Sequence, residues 1–309
     1  MPACAGRSTR RCPTWTSRRT FQHSPRRLLN AARRCAAIGS VSVAEWESAL
    51  RLGVFSSLFI VLALLEVWQP FRKASRRRWL ANLGLLAIGS VALRVVFPLA
   101  ATGVALWAQQ QSWGLLNQIE WPALLEIVIA VAVLDCAIYW QHRVFHRLPW
   151  LWRLHSVHHA DTALDVTTGL RFHPIELLLS MVIKSVFIVA LGAPALAVLI
   201  FEVVLNACSM FNHSNIALPN TLEHGLRRVL ITPTLHRIHH SQRVEETNSN
   251  FGFSVPWWDW LFGSFRAHAR EGDAAVRLGL PGAQQRAGQL LALLILPFRR
   301  EGNGPRNNT

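Results

Sequence analysis

The sequence predicts an all-α polytopic membrane protein in which about four transmembrane helices carry a cytosolic, histidine-rich helical cap. Three observations predict it. About half of the 309 residues are apolar and only 16% are charged, where a soluble domain carries roughly a quarter. The apolar residues fall in long blocks, not in the short periodic patches of a globular core. Eleven of the thirteen histidines lie between positions 142 and 240, immediately outside those blocks. Five cysteines are scattered without a CxxC pair, which argues against a disulfide scaffold or a cysteine zinc site.

The net charge of +15 invites a nucleic-acid reading. However, nine of the 32 basic residues precede Glu45, the first acid of the chain. Residues 1–43 are rich in Arg and Ser, lack an apolar run and resemble a transit peptide or translated upstream sequence, so they are expected to be a disordered tail outside the fold. Basic loops that set membrane topology account for the remaining excess without nucleic acid.

Residues 44–120 are expected to hold the N-terminal membrane helices. The run 53–68 is short and almost uncharged, and Arg72, Lys73, Arg76, Arg77 and Arg78 follow at once, marking a cytoplasmic loop. The stretch 79–107 is long enough for one tilted crossing. The linker 109–120 contains no Lys or Arg, as expected on the far side, and Trp121 to Trp140 returns with an interfacial tryptophan at each end. Within a catalytic segment over 121–270, residues 177–206 form a helical hairpin broken at Gly192 and Pro194. Over 271–309 a short apolar stretch, Leu290 to Pro297, suits an interfacial helix followed by a tail. The scheme has one tension: an N-terminus on the far side would carry nine arginines across the membrane.

The histidines cluster. His142 and His146 are spaced i, i+4; His155, His158 and His159 are i, i+3, i+4, and His236, His239 and His240 repeat that pattern. Residues at these spacings project from one helical face, so each cluster is expected to aim its imidazoles at one point. Thr232 and Pro233 predict a helix N-cap and first position ahead of the last cluster. His173 and His213 extend the set to ten. A lone histidine is ordinarily a packed or surface residue, as is expected of His224, but protonated imidazoles in three crowded clusters would repel, whereas a metal uses their lone pairs. Ten nitrogens exceed one coordination sphere and fit two metals of about five each. Arg143 occupies the place where an HExxH protease has its glutamate, which excludes that chemistry.

Asp135 and Tyr139 share the face of His142 and His146, where partners of metal-bound imidazoles are expected. Asn248, Asn250 and Gly252 read either as ligand-orienting residues or as a plain turn. Asp259 reads either as a second partner of a ligand imidazole or as a helix cap, and Trp257, Trp258 and Trp260 as interface anchors. Lys184 and Glu202, charges inside the hairpin, are candidates for a functional role or for mutual pairing.

The order DCAIYWQHRVFH, LWRLHSVHHA, RFHPIE, FNHSN, TPTLHRIHHS, NSNFG and WWDWLFGSF, over roughly 120–266, resembles the fatty acid hydroxylase and sterol desaturase superfamily. The resemblance implies two non-haem irons held by His142, His146, His155, His158, His159, His173, His213, His236, His239 and His240, with O2 as co-substrate and a membrane lipid hydroxylated or desaturated. No flavin or dinucleotide fingerprint is present, so the reductant is expected from a separate ferredoxin or a small cytochrome with its reductase. Two other classes remain: a bis-histidine haem cytochrome that transfers electrons, and a metal-binding transporter or metal-free scaffold without oxygenase activity. A haem needs only axial pairs inside the bundle, and a transporter places its ligands at the membrane midplane; clusters beside the crossings fit neither of these.

Overall fold

The computed structural model describes residues 25–282 and 284–299, with side chains from Trp46 onward except that of Gln285. Residues 1–49 and 50–309 are separate compact units, and the packing below belongs to the second. The first unit contributes the start of helix α1 (Pro25–Trp68). Residues 25–43, expected to be disordered, are therefore helical; Ala, Leu and Arg, the strongest helix formers, follow a proline placed at the first helical position. Residues 1–24 of the expected tail lie outside the described residues.

Among the described residues, five stretches are long and apolar enough to cross a membrane: Trp46–Trp68, Arg76–Gln118, Ala123–Arg147, Pro174–Leu191 and Ala195–His213. The second, expected as one helix, consists of α2 (Trp79–Val96) and α3 (Ala100–Gln110). Pro98 separates them, since proline cannot donate to the ladder and clashes with the preceding turn. The path nevertheless keeps its direction, because Gly89 faces Leu177 early in the hairpin and Gly114 lies against its turn at Gly192.

Helices α4 (Ala123–Arg147) and α5 (Pro149–His159) follow, and then the hairpin α6 (Pro174–Leu191) and α7 (Ala195–His213). The hairpin is longer at both ends than the expected 177–206, because hydropathy registers only its apolar middle. Its polar tips, Glu176 on α6 and Asn212 and His213 on α7, stay helical and are buried. Small residues let the spans approach: Ala101 and Ala105 of α3, Ala130 of α4 and Ala197 of α7 pack with Leu134, Ile188 and Phe201. At the hairpin turn a Cβ on Gly114 would lie 2.1 Å from the Gly192 nitrogen, so only glycine fits there. The outer faces expose Ile60 and Leu64 of α1, Val91 and Val95 of α2, Leu124 and Val128 of α4 and Val186 of α6. Such a surface belongs in hydrocarbon, and the chain is an integral membrane protein.

The cap is formed by α8 (Asn220–Leu226), α9 (Pro233–His239), α10 (Val244–Thr247), α11 (Trp257–Leu261) and α12 (Leu290–Ile295). Helix α12, expected at the interface, is a half-buried wedge: Leu293 and Leu296 pack on Ala81, Leu85, Val157 and Ala160, while Leu291 and Phe298 stay exposed. Charges tie cap to spans. Arg78 pairs with Asp161 and, at 2.6 Å, with Asp165. Glu66, in the last turn of α1, accepts the backbone N–H groups of Val166 and Asn215 at 2.7 and 2.8 Å. These ties put the basic loop 69–78 at the histidine end of the bundle, opposite the linker packed at Gly192.

Candidate metal centre

Nine of the ten predicted histidines meet at that end, all of them buried. Helix α4 presents His142 and His146 from its last turns. Helix α5 starts at Pro149, which occupies its first position, and carries His155, His158 and His159. Helix α7 ends in His213. Helix α9 begins as the sequence predicts, with the Thr232 hydroxyl accepting the Leu235 N–H, and supplies His236 and His239, with His240 at its C-cap.

These side chains form two groups whose candidate ligand atoms lie within 4.8 Å of one another: His142, His146, His155, His159 and His239; and His158, His213, His236 and His240. The expectation that each cluster converges on one point is thereby corrected. On α5 the i, i+4 pair joins the first group and His158 the second; on α9 His236 and His240 join the second and His239 the first. The groups touch, with the rings of His159 and His240 stacked at 4.3 Å.

Hydrogen bonds fix the tautomers. Nδ1 of His142 donates to the Phe251 carbonyl at 2.7 Å, that of His158 to Arg171 at 3.1 Å, that of His213 to Ser209 at 2.7 Å and that of His239 to Ser249 at 2.8 Å. Nδ1 of His155 meets Oε1 of Glu176 at 2.6 Å. With Nδ1 donating, each Nε2 keeps a bare lone pair. Yet Nε2 of His142 faces Nε2 of His155 at 3.1 Å, and Nε2 of His158 faces Nε2 of His213 at 2.9 Å. Facing lone pairs repel unless a cation draws both. Further ring nitrogens of His146, His159, His239 and His240 are buried without a hydrogen-bond partner. Burial, followed by neighbouring imidazoles, holds His158, His159, His236, His239 and His240 far below the usual histidine range, and burial lowers His155 to about 3. Uncharged at neutral pH, these rings suit two metal ions and little else.

His173, the tenth, is placed elsewhere. Its Nδ1 accepts the Ile175 N–H at the start of α6, and its Nε2 donates to the Leu294 carbonyl at 3.2 Å. Both nitrogens are engaged, so ten expected ligands become nine, five and four. A histidine just before a helix-starting proline has an N-cap role that spacing does not distinguish from ligation. His224 is exposed and bonds the Asn220 carbonyl.

The supporting residues act mostly through the backbone. Asp259 accepts the N–H groups of Phe251 and Gly252 at 2.7 and 2.9 Å and the Ser264 hydroxyl at 2.6 Å, so it fixes the loop whose Phe251 carbonyl holds His142 and does not itself touch an imidazole. A Cβ on Gly252 would crowd the Val255 carbonyl and Asp259. Asn250, with φ of 51°, bonds Leu235 and Arg266 and ties that loop to α9. Tyr139 meets Ser264 at 2.7 Å and Arg143, and Asp135 accepts Trp258 Nε1 at 2.8 Å; neither reaches a histidine by hydrogen bond. Asn248 is the polar side chain that bears on His146. Trp257 and Trp260 are exposed, as interface anchors would be. Lys184 pairs with Glu202, and Arg51 reaches the other Glu202 oxygen at 2.8 Å.

Glu176 escaped the sequence reading; the acid three residues after His173, in the first turn behind Pro174, was the available signal. Trp152 also went unremarked, and its ring packs on His146 and His159 at 4.9 and 5.2 Å. Phe172, Phe251 and Phe253 complete an aromatic wall around the histidines.

Apolar spans bearing two adjoining all-histidine groups at one end define a membrane protein with two candidate metal sites. The fatty acid hydroxylase family pattern matches residues 127–264. The chain is 29% identical over 261 residues to the ornithine lipid hydroxylase OlsE of Rhizobium tropici, covering 81% of this chain and 76% of that one. It is 25% identical to the alkylglycerol monooxygenase of Xenopus tropicalis over 69% of this chain, spanning about half (46%) of that relative's length. It is 23% identical to a putative Delta(7)-sterol-C5(6)-desaturase 2 of Arabidopsis thaliana over 72% and 77% of the two chains. No solved structure matches. Over residues 127–264 the chain matches the fatty acid hydroxylase family, and its two histidine groups are consistent with the metal-binding histidine boxes of the fatty acid hydroxylase and sterol desaturase superfamily.

Proposed function

We propose that the protein hydroxylates a membrane lipid with O2 and an external reductant, on the cytoplasmic side of its membrane. The observation that carries the reading is the pair of buried histidine groups, their tautomers fixed and their lone pairs facing one another. Two irons bound there supply the redox chemistry that oxidation of an unactivated C–H bond requires and that zinc lacks.

The chain's own residues hold and enclose. Backbone carbonyls and Glu176 orient the rings, and Trp152, Phe172, Phe251 and Phe253 keep water from their edges. One oxygen atom of O2 enters the lipid as a hydroxyl and the other leaves as water, which consumes two electrons and two protons. A ferredoxin or a small cytochrome with its reductase delivers the electrons. Placement at one end of the apolar spans suits a substrate whose chain lies in the bilayer. Ornithine lipid is the first substrate to test, because the relative named for it aligns over most of both chains. Desaturation is the second reading, favoured by the sterol desaturase relative.

Arg72, Lys73 and the arginines 76–78 at the histidine end and a Lys- and Arg-free linker opposite support the cytoplasmic orientation. In a background without native cysteines, an impermeant thiol reagent outside intact cells should label Gln110→Cys and spare Lys73→Cys; both positions are exposed. The reverse pattern inverts the orientation. Membranes given isotope-labelled O2, ornithine lipid and a competent donor should yield a hydroxylated lipid carrying the label. An unsaturated, unlabelled product selects desaturation, and no product from ornithine, acyl, sterol or isoprenoid lipids overturns the enzyme reading.

A further inference from the structure

Among the nine histidines, His142, His158, His213 and His239 donate Nδ1–H to backbone carbonyls. His155 alone is backed by a carboxylate, Glu176, at 2.6 Å, with both side chains buried. Glu176 stands in the first turn of α6, where the positive end of the helix dipole favours an anion. Its second oxygen, Oε2, is buried without a hydrogen-bond partner. A carboxyl group with one bare oxygen in such surroundings either keeps its proton or is held ionised by a cation within electrostatic reach. Among the described residues the titratable group that bears on Glu176 besides His155 is His173, whose Nδ1 accepts the Ile175 N–H and whose ring is therefore uncharged. The cation on the far side of the His155 ring is the one the five-histidine group is built to hold. The four-histidine group has no such backing, since His158 and His213 rest on carbonyls.

We propose that Glu176, acting through His155, makes the two metals inequivalent: it is a positioning residue that tightens the five-histidine site and lowers the reduction potential of its metal below that of the four-histidine neighbour. This rests on the metal reading of both groups. A carboxylate on the remote nitrogen locks the ring and raises the basicity of the ligating one, which strengthens binding and stabilises the more highly charged metal. A protonated Glu176 would instead donate to Nδ1 and leave Nε2–H pointing at His142, with no influence on the metal.

The test uses the full chain in detergent, stripped of metal and titrated with cobalt(II), whose visible spectrum reports each site. Two binding phases are expected. Glu176→Gln, isosteric and uncharged, should weaken one phase about 10- to 100-fold and leave the other unchanged. In iron-loaded protein followed by Mössbauer spectroscopy it should narrow the gap between the two one-electron steps by a tenfold change in electron partition, about 59 mV. Glu176→Asp, which keeps the charge on a shorter stem, should recover part of the separation, and it carries the same comparison if the Gln variant does not fold. Equal weakening of both phases marks a merely structural carboxyl and overturns the proposal. So do unchanged phases with unchanged potentials. A wild-type chain that binds no cobalt overturns the underlying metal reading instead, whatever Glu176 does.

Discussion

The two histidine groups are built from the same two helices in opposite proportion. Helix α5 gives two imidazoles to the first group and one to the second; α9 gives one to the first and two to the second. The third contributor breaks the symmetry: α4 adds two ligands to the first, whereas α7 adds one to the second. The HxxHH pattern is thus a bridge between two histidine groups and not a single claw, since its i, i+4 pair and its middle histidine project far enough apart around the helix to serve different centres. The five-ligand group is tied to the loop 249–252 and to Glu176, and the four-ligand group to α7 and the Arg171 carbonyl.

Removing one ligand from each group is the sharpest way to break that comparison. His213→Ala leaves three imidazoles in its group and His146→Ala leaves four in the other. Each should lower turnover at least about 100-fold, with metal content by mass spectrometry falling from about two per chain toward one for His213→Ala and less steeply for His146→Ala. Equal losses from both variants would make the groups a single cooperative site.

Acid probes what the groups share, which is complete burial. The histidines of α5 and α9 are held uncharged well below the usual range, so as pH falls below about 6.5 the unfolded chain takes up protons that the folded one refuses. Stability of the metal-free protein is therefore full at neutral pH and declines on acidification, by about 1.4 kcal/mol per pH unit for each such histidine, down to pH about 3 for His155. Thermal melts between pH 7.5 and 5 should show one steep fall. Two separate acid steps would mean that the groups unfold independently.

A smaller effect isolates the loop. Asp259→Asn removes the charge from hydrogen bonds to Phe251, Gly252 and Ser264, and should weaken metal binding in the five-histidine group about 10-fold through His142 while sparing the other. The smallest change comes from His173→Ala. Two metals should remain bound, and melting should report only a lost helix cap, about 1 kcal/mol. Loss of a metal would restore the tenth ligand.

Much of this was legible in the chain itself. The order of apolar blocks, Thr232–Pro233 as a helix start and the histidine spacings all rest on local rules, and local rules survive folding. The division of each HxxHH between two groups was not legible, because periodicity says which residues share a face and not which neighbouring helix that face meets. The role of Asp259 was half legible: a buried carboxylate near the site was expected, but its partners are backbone N–H groups, which carry no sequence signature. Residues 25–43 are helical where a disordered tail is expected, because the lack of acids and of an apolar period does not prevent a helix that Ala, Leu and Arg favour.

The Glu66 anchor sets an order of events during synthesis. One of its hydrogen-bond donors, Asn215, lies 149 residues further along the chain, and a ribosome adding about 5–20 residues per second needs roughly 7–30 s to reach it. The other donor, Val166, is made earlier, so until Asn215 arrives the carboxylate can form only one of its two bonds. The early helix thus waits at the membrane surface for the late one, and the enzyme closes only when its last crossing has been delivered.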